Sequence, residues 1–559
     1  MKRYLKNIIM LVMIVVISSC LFFTLSYIKS HNNVKQMSQG MENNFVNDEH
    51  MPPDKPDGDK SSDNRDRPLD INKDNFNINN SSSNSFLVYY LVLGIDVLIL
   101  SCLICYLILS CFNKKIFKEA FCNKDKILIY ILLVIILIIG IWYLSNIIIN
   151  NTSIVGNNDI NGVKVAYLAE TEIVDDKKIT SGDYSSSDSD KNAILVSGDI
   201  DVEIDNVNVD KVGDSAAGDK TSFYGINSAI IAKTGANLTL KNLIIKTNAV
   251  GANGVFSYGG SATTVNTSSD GTTVNISDST IVTKKDNSGG IMTTGGGNTN
   301  AYNLNVKTSG ISSAAIRTDR GGGKVFVDGG TYTTTGSGSP TIYSTAEVTV
   351  KNASLISNSS EGIVVEGKNT VLIDNCDLVD SNTKLNGLST AYKNIFLYQS
   401  MSGDADTGTS SFTATNSRIT TNNGDTFYIT NTSSIIDLMN NTILNNDSNG
   451  NFLRVQTDSW GTKGKNGGDV TLNMTKQSIK GNIVVDDIST LAINMKSASY
   501  YEGVINSSNK AKNISLVLDS SSKIKLLGDC YVSSFSNEDI DNSNIDFNGY
   551  KLYVNNLAI

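Results

Sequence analysis

Histidine is almost missing from this chain. Its 559 residues hold two, His31 and His50, and both precede the region where a repeat begins. That excludes a Ser-His-Asp triad, a Cys-His pair and a histidine metal site from the repeat. Proline is also scarce: four of the five (Pro52, Pro53, Pro56, Pro68) fall between residues 29 and 85. Of seven cysteines only Cys376 and Cys530 lie in the repeat, so no disulfide framework holds it. Cys102 and Cys105 have C-x-x-C spacing but sit inside an apolar run, which is no context for a zinc or redox pair. Basic charge is in deficit, 46 Lys and Arg against 55 Asp and Glu, for a net charge of −9. A nucleic-acid role therefore has no electrostatic footprint. A Gly-rich phosphate loop with its lysine is absent as well.

Long apolar runs are confined to the first 150 residues. Residues 1–28 open with Lys2, Arg3 and Lys6 and continue as an apolar run past Cys20. That length predicts a membrane-spanning helix. The alternative is a lipoprotein-like signal, because Ser18-Ser19-Cys20 resembles a processing site. Residues 29–85 read as a disordered acidic linker, too poor in apolar residues to fold. The runs 86–112 and 127–149 are each long enough to cross a bilayer. Asp96 lies within the first of them, where an acid is costly. Between them, residues 113–126 carry Lys114, Lys115, Lys118, Lys124 and Lys126 and are expected to stay cytoplasmic. The predicted topology is a cytoplasmic start, three crossings and an extracellular carboxyl-terminal domain. Residues 150–190 are polar and read as a stalk and cap, with 182–187 as loop.

After residue 190 the chain repeats. Seven fragments align without gaps, among them Thr349-Val-Lys-Asn-Ala-Ser-Leu355 and Leu372-Ile-Asp-Asn-Cys-Asp-Leu378. Their fourth positions are Asn242, Asp278, Gly329, Asn352, Asn375, Asn416 and Asn440. Asn, Asp and Gly accept a left-handed backbone cheaply, so each fragment reads as strand, tight bend, strand. The bends recur at steps such as 23 (329 to 352 and 352 to 375) and 24 (416 to 440). A period of that length built from short strands means stacked coils, about 4.8 Å apart. A second column reads small-apolar-x, as in Gly254-Val255-Phe256, Ala315-Ile316-Arg317 and Thr341-Ile342-Tyr343. Strand side chains alternate between faces, so the middle residue points inward and the third outward. The outward row then runs Ile231, Phe256, Met292, Arg317, Tyr343, Val364, Phe396, Tyr428 and Leu453.

Asn- and Gly-punctuated coils of this period resemble the right-handed parallel β-helix of pectin-lyase-like proteins. The version without catalytic motifs is similar to bacterial adhesin and carbohydrate-binding β-helices. The resemblance covers about residues 190–550 and implies the fold class: an all-β right-handed parallel β-helix ectodomain (191–559) preceded by three transmembrane α-helices. The heavy use of Asn, Lys and Ile points to an AT-rich bacterial genome.

Phe256, Tyr343, Phe396 and Tyr428, with Arg317 among them, form the candidate ligand-binding row, and Trp460 adds a loop aromatic. Open to solvent, such a row would stack on sugar rings and form an interaction patch. Alternatively, a loop or the 151–190 segment covers it. Arg317-Thr318-Asp319-Arg320 reads as a charged turn with a local ion pair, and Asp404 and Asp406 as a solvated loop. The expected function is a membrane-anchored cell-surface protein that binds a glycan or another surface polymer without turnover, needs no cofactor, and is open to a protein partner. Two alternatives stand beside it. The resemblance implies a polysaccharide lyase or glycosidase using carboxylates and Arg, with calcium as its metal. The third reading is a structural scaffold for a membrane partner.

Overall fold

The computed structural model describes residues 165–261 and 269–559, all within one compact unit, Asn157–Ile559. The three apolar runs, the linker and the basic loop lie outside the described residues. Among the described residues, no helix is long and apolar enough to cross a membrane.

The described chain is a solenoid of stacked parallel sheets, consistent with a β-helix. One sheet has 12 strands, from Leu168–Ile173 to Ile483–Val485, and a second has 22. Sheets of 4 and 3 strands continue the stack towards the carboxyl end. Strand pairing is parallel until Leu552–Val554, which pairs antiparallel with Leu557–Ala558. Each coil gives one strand to the first sheet and two, flanking the bend, to the second. Strand Gly323–Thr334 shows the plan, turning at Gly329 and Gly330 (φ 77° and 94°).

All seven expected bend residues have positive φ, from 48° at Asp278 to 77° at Gly329. The step of 51 residues between 278 and 329 contains a further coil, bent at Asn303 (φ 52°). Side chains in this column bond from coil to coil. The amide of Asn303 reaches Asp278 (3.0 Å), that of Asn375 reaches Asn352 (2.8 Å), and that of Asn440 reaches Asn416 (2.8 Å). The residue that turns the backbone thus also ties adjacent turns together.

The interior follows from alternation. Strands such as Glu347–Lys351 and Thr370–Asp374 bury every second residue. In the 12-stranded sheet one inward row runs Ile291, Ile316, Ile342, Ile363, Ile395, Phe427 and Leu453 in register. In the earlier coils the residue before this row is small for a packing reason. A Cβ on Gly290 would stand 2.4 Å from Val306 and 2.5 Å from the Ala315 carbonyl oxygen.

Two expectations need adjusting. The first coil begins at Leu168, inside the segment expected as stalk and cap. Gly182–Ser186, expected as loop, is a strand paired with Val207–Lys211. At the other end, Tyr428 lies beside Arg454, so Arg454 and not Leu453 continues the outward row. The sequence column slipped there by one residue, and such a slip exchanges inward and outward side chains.

Candidate functional site

The outward row of the 12-stranded sheet has three zones, and two are covered. At the amino end, Leu195, Ile231, Phe256, Met292 and Tyr258 form a buried cluster of their own. Tyr167, Ala169 and Tyr224 pack over it, Tyr224 from the short helix Lys220–Tyr224. Phe256 is completely buried. It was named as a candidate binding residue in a row read as either open or covered, and here the row is covered, with Tyr224 of the short helix packed on the cluster.

The carboxyl zone is covered by the segment 381–392 and by the loop bearing Trp460. Phe396 and Tyr428 are buried, with Tyr398 and Trp460 packed on them. Phe396 stacks on Tyr398 at 4.3 Å between ring centroids, and Trp460 lies 5.2 Å from both. Their faces are filled by the chain's own cation. The ammonium of the fully buried Lys393 lies 4.4 Å from the Phe396 ring centre, 4.9 Å from Tyr428 and 5.9 Å from Trp460. It donates to Ser389 Oγ (2.9 Å) and to the Ala391 carbonyl (3.0 Å), with Glu361 at 3.9 Å. Burial pushes the Lys393 pKa down, and Glu361 opposes the shift. Phe396, Tyr428 and Trp460 therefore clamp two covering segments to the sheet.

Between the covered zones lies a charged, hydroxyl-rich cluster. Arg317 pairs with Asp319 (2.8 Å) and donates to the Ser312 carbonyl (2.8 Å). Its guanidinium sits 5.9 Å from the Tyr343 ring centre. The charged turn read from the sequence is present, but it does not stand alone. Arg320 reaches across to Asp404 (2.8 Å) while lying 4.1 Å over the Phe223 ring. Asp406 pairs with Lys368 (2.8 Å) on the adjacent coil, whereas Arg320 lies three coils from Asp404.

Glu366 is the centre of this cluster, and it escaped the sequence reading. It is buried, and its carboxylate accepts from the hydroxyls of Tyr343, Tyr398 (2.9 Å) and Ser400. Burial raises its pKa, the three hydroxyl donors pull it back, and Asp404 adds to the rise. Burial likewise pushes Asp319 up to about 6 against the pull of Arg317. The signal in the sequence was an acid closing an otherwise apolar strand, Ile363–Glu366, beside the Tyr398 strand. Among the described residues, no group of three or more His, Cys, Asp or Glu side chains is placed to hold a metal ion.

An open concavity lies beside this sheet. A groove of about 870 Å³ is lined by Gln399, Thr409, Asn431, Ser433, Asp469 and Thr490, with Lys465, Asp487 and Lys512 towards one end. Thr409, Ser433, Asp469, Thr490 and Asn513 are in register on five successive coils. Four of these, Thr409 to Thr490, line the groove and carry it along the solenoid axis for roughly 14 Å, at about 4.8 Å per coil, with Lys512 on the next coil. Its lining mixes hydroxyls, amides and charges of both signs with Met401, Ile488 and glycine backbone. Comparison of the chain with protein-family models, curated proteins and solved structures found no match.

Proposed function

We propose that this chain is a membrane-anchored bacterial cell-surface protein whose right-handed, pectin-lyase-like β-helix holds a linear carbohydrate without turning it over. The axial groove carries the reading. Its register repeats once per coil, and an extended pyranose chain advances by a length close to that spacing. Hydroxyl and amide side chains satisfy sugar hydroxyls, and the mixed charge disfavours a polymer of one sign. The anchor rests on the apolar runs at 1–28, 86–112 and 127–149, and the outward placement on the lysines of 113–126. The aromatic row no longer supports the proposal, because its rings are engaged with each other.

The test is a glycan array probed with a fragment spanning 157–559. Neutral linear polysaccharides are expected to be retained. Ser433→Trp, at an exposed position in the groove row, is expected to abolish retention with melting unchanged. Equal retention by this variant overturns the groove assignment. A second reading draws on the Arg317–Asp319–Arg320–Asp404–Glu366 cluster: release of sugar from the retained polymer would assign turnover instead.

A further inference from the structure

Segment 399–408 walls the groove through Gln399, Met401, Thr407 and Gly408. It has little apolar anchorage: Ala405 is buried, but Met401 is 62% exposed. What holds it is polar. Asp404 pairs with Arg320, Asp406 with Lys368, and Ser400 bonds to Glu366. Asn431 adds a bond to the Gln399 carbonyl (2.7 Å). A segment held this way opens at low free-energy cost.

A chain of hydroxyls joins the buried acid to the rim. Ser400 Oγ contacts Glu366 and lies 2.8 Å from Ser402 Oγ, which lies 2.9 Å from Asp404 Oδ2. Each serine has one hydroxyl hydrogen to give. With Glu366 protonated, its O–H donates to Ser400, Ser400 donates to Ser402, and Ser402 donates to Asp404. Every donor then has an acceptor, and one carboxylate charge is gone. With Glu366 ionised, Ser400 turns back to it. Two carboxylates then face each other across two hydroxyls, with Asp319 close by.

We propose that segment 399–408 is a proton-controlled latch on the groove, with Glu366 as its switch, closing in acid and releasing as pH rises. The inference rests on the groove being the polymer site. Its sign follows from linkage. Burial in the closed form raises the proton affinity of Glu366, and opening hydrates the carboxyl and returns it towards the ordinary range. Closing therefore takes up a proton, and low pH favours it. The charged group acting directly on the switch is Asp404; around it Arg317 pairs with Asp319, Arg320 with Asp404 and Lys368 with Asp406, and Glu361 acts on its partner Tyr398. Tyr343 and Tyr398 are its neutral neighbours.

Hydrogen exchange of amides 399–408, read by mass spectrometry on the full chain in detergent micelles and corrected for intrinsic rates, tests this. From pH 4.5, in the ordinary carboxyl range, to pH 7.5, protection in the wild type is expected to fall. Glu366→Gln, which mimics the protonated acid, is expected to stay protected throughout. If that variant fails to fold, Ser402→Ala at the exposed rim interrupts the relay and is expected to flatten the profile. A wild-type loop indifferent to pH, or one whose fall persists in the folded variant, overturns the latch. No glycan is present in this measurement, so a failure of polymer binding and a failure of the latch are read separately.

Discussion

Asp319 makes the acid response of this domain calculable. It is 3% exposed and paired with Arg317, yet burial pushes its pKa up to about 6 from the ordinary carboxyl value near 3.8. The folded state therefore binds this proton more tightly than the unfolded chain does. Stability from this group is fully present below the unfolded value and is lost as pH rises through the folded one, so the window is about pH 4 to 6. At 1.36 kcal/mol per unit, the shift corresponds to on the order of 3 kcal/mol. The unfolding entropy of roughly 390 residues is about 0.8 kcal/mol/K, so the midpoint moves by about 4 °C. The assay is melting followed by circular dichroism, wild type against Asp319→Asn, from pH 7.5 to pH 3.5. Asparagine fills the same space and does not titrate. The wild-type midpoint is expected to gain on the variant as pH falls. Glu366 and Asp380 also carry raised values, but they titrate in both proteins and largely cancel in the difference. A constant offset across the range would refute the reasoning, because it would mean the buried carboxyl titrates as it does in the unfolded chain.

Two further outcomes are expected. Phe396→Ala and Tyr428→Ala should each destabilise the domain by about 3–5 kcal/mol, because they remove buried rings from a packed cluster. Denaturant unfolding checks this, and an unchanged midpoint would return the row to the solvent. At the bend, Asn375 has φ 53°; Asn375→Ala should cost about 1–2 kcal/mol while Asn375→Gly stays near neutral, by the same measurement.

The bends were legible because one local requirement, a left-handed residue, recurs at a fixed spacing. Asn303 was skipped although Asn300–Val306 carries the same pattern, with Ala301 and Val306 at its apolar positions, and the step of 51 residues already required a coil there. Alternation also identified the outward row through Tyr428, and it failed at Leu453 because Phe452 and Leu453 are both buried. Whether the row was open could not be read from periodicity. The covering residues Tyr224, Ala391 and Trp460 come from segments outside the repeat. Glu366 was invisible for a related reason: its partners Tyr343, Tyr398 and Ser400 lie 23, 32 and 34 residues away, on other coils.

The bend column has an evolutionary corollary. Each coil brings its own turning residue, and in this column that residue bonds to the adjacent coil. A whole unit of 23 residues, such as 352 to 375, can therefore be duplicated or lost with the rest of the stack keeping its internal register. A single-residue deletion inside a strand has no such freedom, since it carries core side chains to the surface. Viable length variants of this domain should differ by complete coils, or by loops such as 381–392 that lie outside the strands. The protein's natural unit of change is a storey and not a residue.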